Sequence, residues 1–179
     1  AAAGEPVLLA ASGFAVMGVE AEWVYELGAD LPARATPYSA AEVLAAVVSV
    51  RAAIEVCDTR FAAWAQQGEW SRLADQACHG ALIVGTGTDE VAAAQPLAQA
   101  VTLSVNGAVA VQHATWGNPA GDPLRLLVWL ANEGARSLGG LRAGHWVTTG
   151  SCTGTVLVAP GAEVVADFPG LGQAVLHLR

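Results

Sequence analysis

Glu20 and Glu22 stand two residues apart inside the apolar run MGVEAEWVYEL, residues 17–27. Val19, Trp23, Val24, Tyr25 and Leu27 are β-branched, aromatic or aliphatic and suit a strand. Strand side chains alternate faces, so the two carboxylates point the same way. Glu55 interrupts a second apolar run, between Ile54 and Val56. A buried, unpaired acid is rare. Alone, the E-x-E pair also reads as the solvated face of an amphipathic strand. With Glu55 beside it, metal chemistry enters. Three carboxylates within about 4 Å of one another repel by about 4 kcal/mol per pair at an effective dielectric of 20. Protonation or a bound cation must relieve that. An all-oxygen donor set favours Mg²⁺, Mn²⁺ or Ca²⁺ over zinc. Three protein ligands on a six-coordinate ion leave positions for water and substrate, and such an open site can polarise a carbonyl and stabilise an enolate.

The elements that must position these groups follow from local pattern. Residues 1–14 are small and Gly-punctuated and read as a leader or loop; residues 15–179 read as a single domain. A first strand covers 16–27, and the Gly/Pro-rich segment 28–39 connects it onward. Ser39 and Glu42 form a capping box that opens a helix, with Val43, Leu44, Val47 and Val50 as its apolar stripe. The strand carrying Glu55 spans 53–61. A short helix near 69–76 leads to a strand at 81–84, with GTGTDE as a turn. Strands near 99–105 and 108–113 meet at Asn106-Gly107, a strong hairpin signal. Asp122 as N-cap, Pro123 at the first helical position and Gly139 or Gly140 at the end delimit a helix. Leu126, Leu127, Leu130, Ala131 and Leu138 are its expected buried face, with Trp129 packed. Short strands follow at 145–149, 155–158, 162–168 and 173–178. Two main helices among many short strands predict an α+β, β-rich fold.

Composition narrows the classes. The 179 residues suffice for one domain with a core. Apolar residues make up 54% and charged residues 13%, too apolar for disorder. A net charge of −8 argues against nucleic acid or an acidic membrane surface as partner. The chain contains no lysine, which excludes Schiff-base chemistry and a lysine general acid. Cys57, Cys78 and Cys152 form no C-x-x-C pair. Neither a zinc knuckle nor a disulfide framework is indicated, and a reducing, cytoplasmic setting is expected. Cys57 and Cys152 read as small buried hydrophobes.

A wider resemblance is carried by GVEAEWVYELGADLP, PYSAAEVLAAV, AAIEVCDTRF, the Asn-Gly turn, GDPLRLLVWLANEGARSLGGLRAGHWVTTGSCTG and VAPGAEVVADFPGLGQAVLHL, in that order. Together they resemble the fumarylacetoacetate hydrolase superfamily, in its branch of 2-keto-4-pentenoate hydratases and 4-oxalocrotonate decarboxylases. The resemblance implies a mixed β-roll of that family's C-terminal type around a divalent ion, usually Mg²⁺, with Mn²⁺ the alternative. It makes Glu20, Glu22 and Glu55 the metal ligands. It implies a small 2-oxo or 2-hydroxy-dienoic acid substrate from aromatic catabolism, an enolate held by the metal, and addition of water. Decarboxylation from the same enolate is the second reading. Hydrolysis of a C–C bond in an acylpyruvate-type substrate is a third, and a metal-binding pseudoenzyme is the non-enzymatic alternative. A homo-oligomer is expected, with a hydratase or decarboxylase partner subunit also conceivable.

Departures from the family pattern matter as much. The family's N-terminal segment, with its helices and lysine, is expected to be absent from this chain, by truncation or by loss. Where family members carry ADNASSG, this sequence reads ADQACHG. Gln76, Cys78 and His79 therefore bear on substrate identity. His79 and Asp75 are the candidate acid–base groups, an exposed turn histidine being the plain alternative. Thr149, Gly150 and Ser151 are candidates for holding a substrate carboxylate, or form a plain tight turn. Arg60 is a candidate substrate contact; with Asp58 it reads as a local ion pair, or as support for Glu55. His113, His145 and His177 share no spacing and read as structural.

Overall fold

The computed structural model describes residues 5–179. In chain order the strands are β1 (Val7–Leu9), β2 (Gly18–Leu27), β3 (Leu31–Pro32), β4 (Val47–Cys57), β5 (His79–Thr88), β6 (Val101–Val105), β7 (Ala108–His113), β8 (Gly140–Leu141), β9 (Trp146–Ser151), β10 (Val156–Leu157), β11 (Glu163–Phe168) and β12 (Gly172–Leu178). The α-helices are α1 (Ala40–Ala45), α2 (Glu69–Ala74) and α3 (Pro123–Trp129). This is the α+β, strand-rich architecture expected. One sheet runs β1-β12-β11-β6-β7 and the other β10-β2-β4-β5, with β9 also on β2; β3 and β8 form a small ribbon.

Period two on β2 decides what each sheet face does. Val19, Ala21, Trp23, Tyr25 and Leu27 enter the core. Trp23 meets Tyr25, Trp116 and Phe168 edge-on, with ring centroids 6.4, 5.7 and 6.5 Å apart. The alternate residues, Glu20 and Glu22 among them, leave the opposite face. The two sheets join where β5 runs onto β12. A Cβ on Gly85 would lie 2.1 Å from the Gln173 carbonyl oxygen, and one on Gly172 2.3 Å from that of Thr86. Only glycine permits so close a backbone approach. The Gln173 amide completes the seam by donating to Thr86 Oγ1 at 2.9 Å.

Several expectations need correction. Residues 7–9 are not a leader or loop: β1 pairs in parallel with β12, from Val7 opposite Leu176 to Leu9 opposite Leu178. The helix after Ser39 starts with the expected capping box, but it stops at Ala45. Val47, Val48 and Val50 belong to β4, because β-branched side chains lose rotamer freedom in a helix and fit a pleated surface. GTGTDE is largely strand, since β5 continues to Thr88. Helix α3 begins at Asp122 and Pro123 as expected, then widens into a π-turn over Leu130–Gly134. Its buried line is Pro123, Leu127, Ala131 and Ala135; Trp129 and Leu138 are exposed. The hairpin at Asn106-Gly107 is as expected, with φ of 52° and 77°.

Candidate metal centre

β2 and β4 pair antiparallel with Glu20 directly opposite Glu55 and Glu22 opposite Ala53. The three carboxylates therefore leave the same sheet face, but among the described residues the ligating atoms that come within 4.8 Å of one another are those of Glu20, Glu55 and Cys57, without Glu22. Each has a different environment. Glu20 accepts a short hydrogen bond from the Thr155 hydroxyl. Glu55 Oε1 lies 2.7 Å from His79 Nδ1. Glu22 is 1% exposed, and its Oε2 has no hydrogen-bond partner. Among the described residues the only other orphaned buried side-chain polar atom is Trp23 Nε1. Burial, then repulsion from Glu55, push the Glu22 carboxyl up to about 8. A proton or a cation must therefore share this patch with the carboxylates near neutral pH. The donors are carboxylate oxygens, one of them buried and unpaired, and no lysine or arginine neutralises them. That set fits a hard divalent cation.

Glu20 and Glu55, but not the buried Glu22, line a cleft of about 400 Å³, bounded by Val16, Trp64, Cys78, Thr155 and Leu157. Cys57 lies in the same cleft, where burial, then the Glu20 and Glu55 charges, push its thiol well above the usual range. A second hollow of about 390 Å³, beside Trp23, Glu90, Gln95 and Leu171, brings no group of three ligating side chains together among the described residues. The chemistry therefore lies with the first.

The other candidate residues are placed as follows. Asp75 is buried and accepts from Thr59 Oγ1 at 2.6 Å and from Arg60. The Thr59 hydroxyl, together with Arg60, holds its carboxyl below the usual range. An acid that stays ionised and internally paired anchors a loop and is a poor proton donor. Arg60 does not pair with Asp58. It binds Asp75 and donates to the His79 carbonyl at 2.7 Å, while Asp58 Oδ1 accepts from the Ala15 and Val16 amides at 2.9 and 2.8 Å. Arg60 thereby ties down a loop in which Gln76, Ala77 and Cys78 all have positive φ, of 56°, 51° and 70°. His79 begins β5 beside Glu55, where an Nδ1–H would orient that carboxylate.

Thr149, Gly150 and Ser151 are strand, not a free turn, within β9. The Thr149 hydroxyl donates to the Trp23 carbonyl at 3.0 Å. Asn118 Nδ2 donates to the carbonyls of Thr149 and Gly150 at 2.7 and 2.9 Å. Ser151 Oγ accepts from the Thr153 amide at 3.3 Å. These groups shape the strand beside Glu22, since Ser151 is the β9 partner of Glu22.

Sequence reasoning missed Cys57 and Thr155 as cleft residues. For Cys57 the signal was present: it lies two positions after Glu55 and so leaves the same strand face. For Thr155 no local signal existed, because its place depends on β10 pairing with β2.

The sequence profile of the family described as fumarylacetoacetate (FAA) hydrolase C-terminal matches residues 1–179. A 2-keto-4-pentenoate hydratase of Burkholderia vietnamiensis is 33% identical over 173 residues, covering 95% of this chain and 63% of that protein. A 4-oxalocrotonate decarboxylase of Pseudomonas sp is 31% identical over 158 residues, covering 87% and 58%. The chain thus spans about three fifths of the length of these relatives. Among solved structures, 4-oxalocrotonate decarboxylase from Pseudomonas putida G7, complexed with magnesium and adipate, superposes with a TM-score of 0.85 at 25% identity, covering 99% of this chain and 66% of that one.

Proposed function

This chain belongs to the fumarylacetoacetate hydrolase C-terminal family, and on that premise we propose that it carries the metal-binding part of a hydratase acting on a small 2-hydroxy-dienoic or 2-oxo-pentenoic acid. The observation that carries this reading is Glu22: a carboxylate 1% exposed, with an unpaired oxygen, set against Glu55 and Glu20, which line a cleft. Glu20, Glu22 and Glu55 would hold Mg²⁺ or Mn²⁺. The ion, when bound, supplies Lewis acidity that polarises a 2-oxo group and favours the negative charge developing beside it.

The protein's own groups do the rest. His79 orients Glu55, and Thr155 orients Glu20. Trp64, Val16 and Leu157 give the cleft apolar walls against which a short carbon chain can pack. Asp75 and Arg60 hold the loop that forms one rim. No lysine of this sequence can serve as acid or base. The proton must therefore travel through His79, a cleft water, or a residue outside this sequence.

Decarboxylation is the second reading, supported by the similarity to the Pseudomonas decarboxylase and by the high TM-score to its P. putida counterpart. A homo-oligomer accords with the exposed apolar side chains of Trp70, Leu73 and Leu138, which a partner would cover. Three unpaired cysteines accord with a reducing compartment. No helix among the described residues is long and apolar enough to cross a membrane.

The test is a calorimetric titration of Mg²⁺ and Mn²⁺ into metal-stripped protein, with and without oxalate or pyruvate. Saturable one-site binding that tightens with the 2-oxo acid is expected. Absence of binding would remove the clamp and leave the pseudoenzyme reading. Assays with a 2-hydroxy-dienoate and with 4-oxalocrotonate then separate water addition from release of CO₂.

A further inference from the structure

Cys57 is a cleft residue that the three-carboxylate clamp does not use. It follows Glu55 by two positions on β4 and leaves the same face of the sheet. Its partner across the ladder is Gly18, which offers no side chain. A Cβ on Gly18 would lie 3.2 Å from Cys57 Cβ and 2.6 Å from Thr155 Cγ2, so the glycine keeps open the space between them. Glu20, Glu55 and Cys57 each bring one ligating atom within 4.8 Å of the other two. The buried, unpaired oxygen of Glu22 is an independent sign that a cation belongs at this patch.

We infer that Cys57 adds a sulfur donor to the centre, so that it takes thiophilic divalent ions such as Co²⁺ and Cd²⁺ through the Glu20 and Glu55 carboxylates and the Cys57 thiolate. The inference rests on the carboxylate clamp proposed above. Carboxylates alone suit Mg²⁺, Mn²⁺ and Ca²⁺, whereas sulfur ligation shifts preference toward softer ions. On binding, the S–H bond breaks, its proton leaves to solvent and a sulfur–metal bond forms, with no change of oxidation state. With Mg²⁺, which takes oxygen ligands, the thiol stays protonated and outside the coordination sphere. One protein would then present two donor sets, chosen by the ion.

The experiment uses the full chain, stripped of metal and titrated with Co²⁺ and, separately, with Mg²⁺. The wild type should show the near-ultraviolet charge-transfer band of a sulfur–cobalt bond. Cys78→Ser, which alters the other cleft cysteine, should retain the band, and Cys57→Ser should lose it. Cd²⁺ affinity in Cys57→Ser should fall by at least the roughly ten-fold that even outer-sphere substitutions cost a metal site, while Mg²⁺ affinity is unchanged. Cadmium NMR on the wild type separates sulfur-containing from oxygen-only coordination without any variant, in case Cys57→Ser does not fold. Saturable Mg²⁺ and Co²⁺ binding with no charge-transfer band, or a band that survives Cys57→Ser, overturns the role of Cys57 and leaves the clamp standing. Failure to bind Mg²⁺, Mn²⁺ and Co²⁺ alike overturns the clamp, and this inference with it.

Discussion

Asp75 and Glu22 are the two buried carboxylates among the described residues, and their surroundings differ in kind. Asp75 sits in a loop and is surrounded by donors: the Thr59 hydroxyl, and the backbone amide and guanidinium of Arg60. Its carboxyl is held below the usual range. Glu22 sits in a central strand among other acids. It keeps one oxygen unpaired, and its carboxyl is pushed up to about 8, by burial first and by Glu55 second. Burial alone therefore does not mark a functional acid. The distinction lies in whether the protein supplies the compensating charge. Asp75 has its cation built in and holds a loop in place. Glu22 has none, so a proton or a cation from solution must supply it.

The largest expected effect breaks the pair apart by function. Glu22→Gln should lower Mg²⁺ and Mn²⁺ affinity by on the order of a hundred-fold, read by calorimetry, with an unchanged circular dichroism spectrum. Wild-type affinity in that variant would place Glu22 outside the clamp. The next effect separates the two acids by the sign of their pH dependence. The Glu22 value in the folded state lies above the unfolded 4.5. Its contribution to stability is thus fully present below about pH 4.5 and lost as pH rises through about 8. Metal-free protein should lose thermal stability across that window, and both saturating Mg²⁺ and Glu22→Gln should flatten the decline. Asp75 acts oppositely: its value is lowered from 3.8, so its contribution is present above that value and lost as pH falls through the lower, folded one. The smallest effect on metal belongs to Asp75→Asn. It should lower the unfolding temperature, because Arg60 loses its ionic partner, and leave Mg²⁺ affinity unchanged. A loss of metal binding there would show that the loop and the clamp are one unit.

The shared carboxylate face was legible in the sequence to the extent that period two made it so. Glu20 and Glu22 on one face follow from a strand reading, and so does Cys57 beside Glu55. That Glu55 returns opposite Glu20 does not follow from local pattern. It depends on a long-range antiparallel pairing across residues 28–46. The Ser39 cap announced a helix correctly, whereas its end carries no Gly or Pro and is marked only by the β-branched run that begins at Val47. Arg60 was assigned to Asp58 by nearness in sequence, while its partner lies 15 residues on. Thr149, Gly150 and Ser151 looked like a free turn because their clasp, Asn118, lies 31 residues upstream of Thr149. Short-range rules thus found caps, turns and strand faces. They failed where a polar group's partner arrives from another part of the chain.

The seam at Gly85 and Gly172 bears on how this scaffold can be re-engineered. Side chains there would strike the opposing backbone, so a mutational library that varies those positions would be filled with misfolded members. Gln76, Ala77 and Cys78 form a rim loop whose side chains are exposed or half-buried and whose ends are tied by Arg60. Varying those three positions among residues that tolerate positive φ, with the seam and Arg60 left untouched, is the economical search space for reshaping the cleft rim.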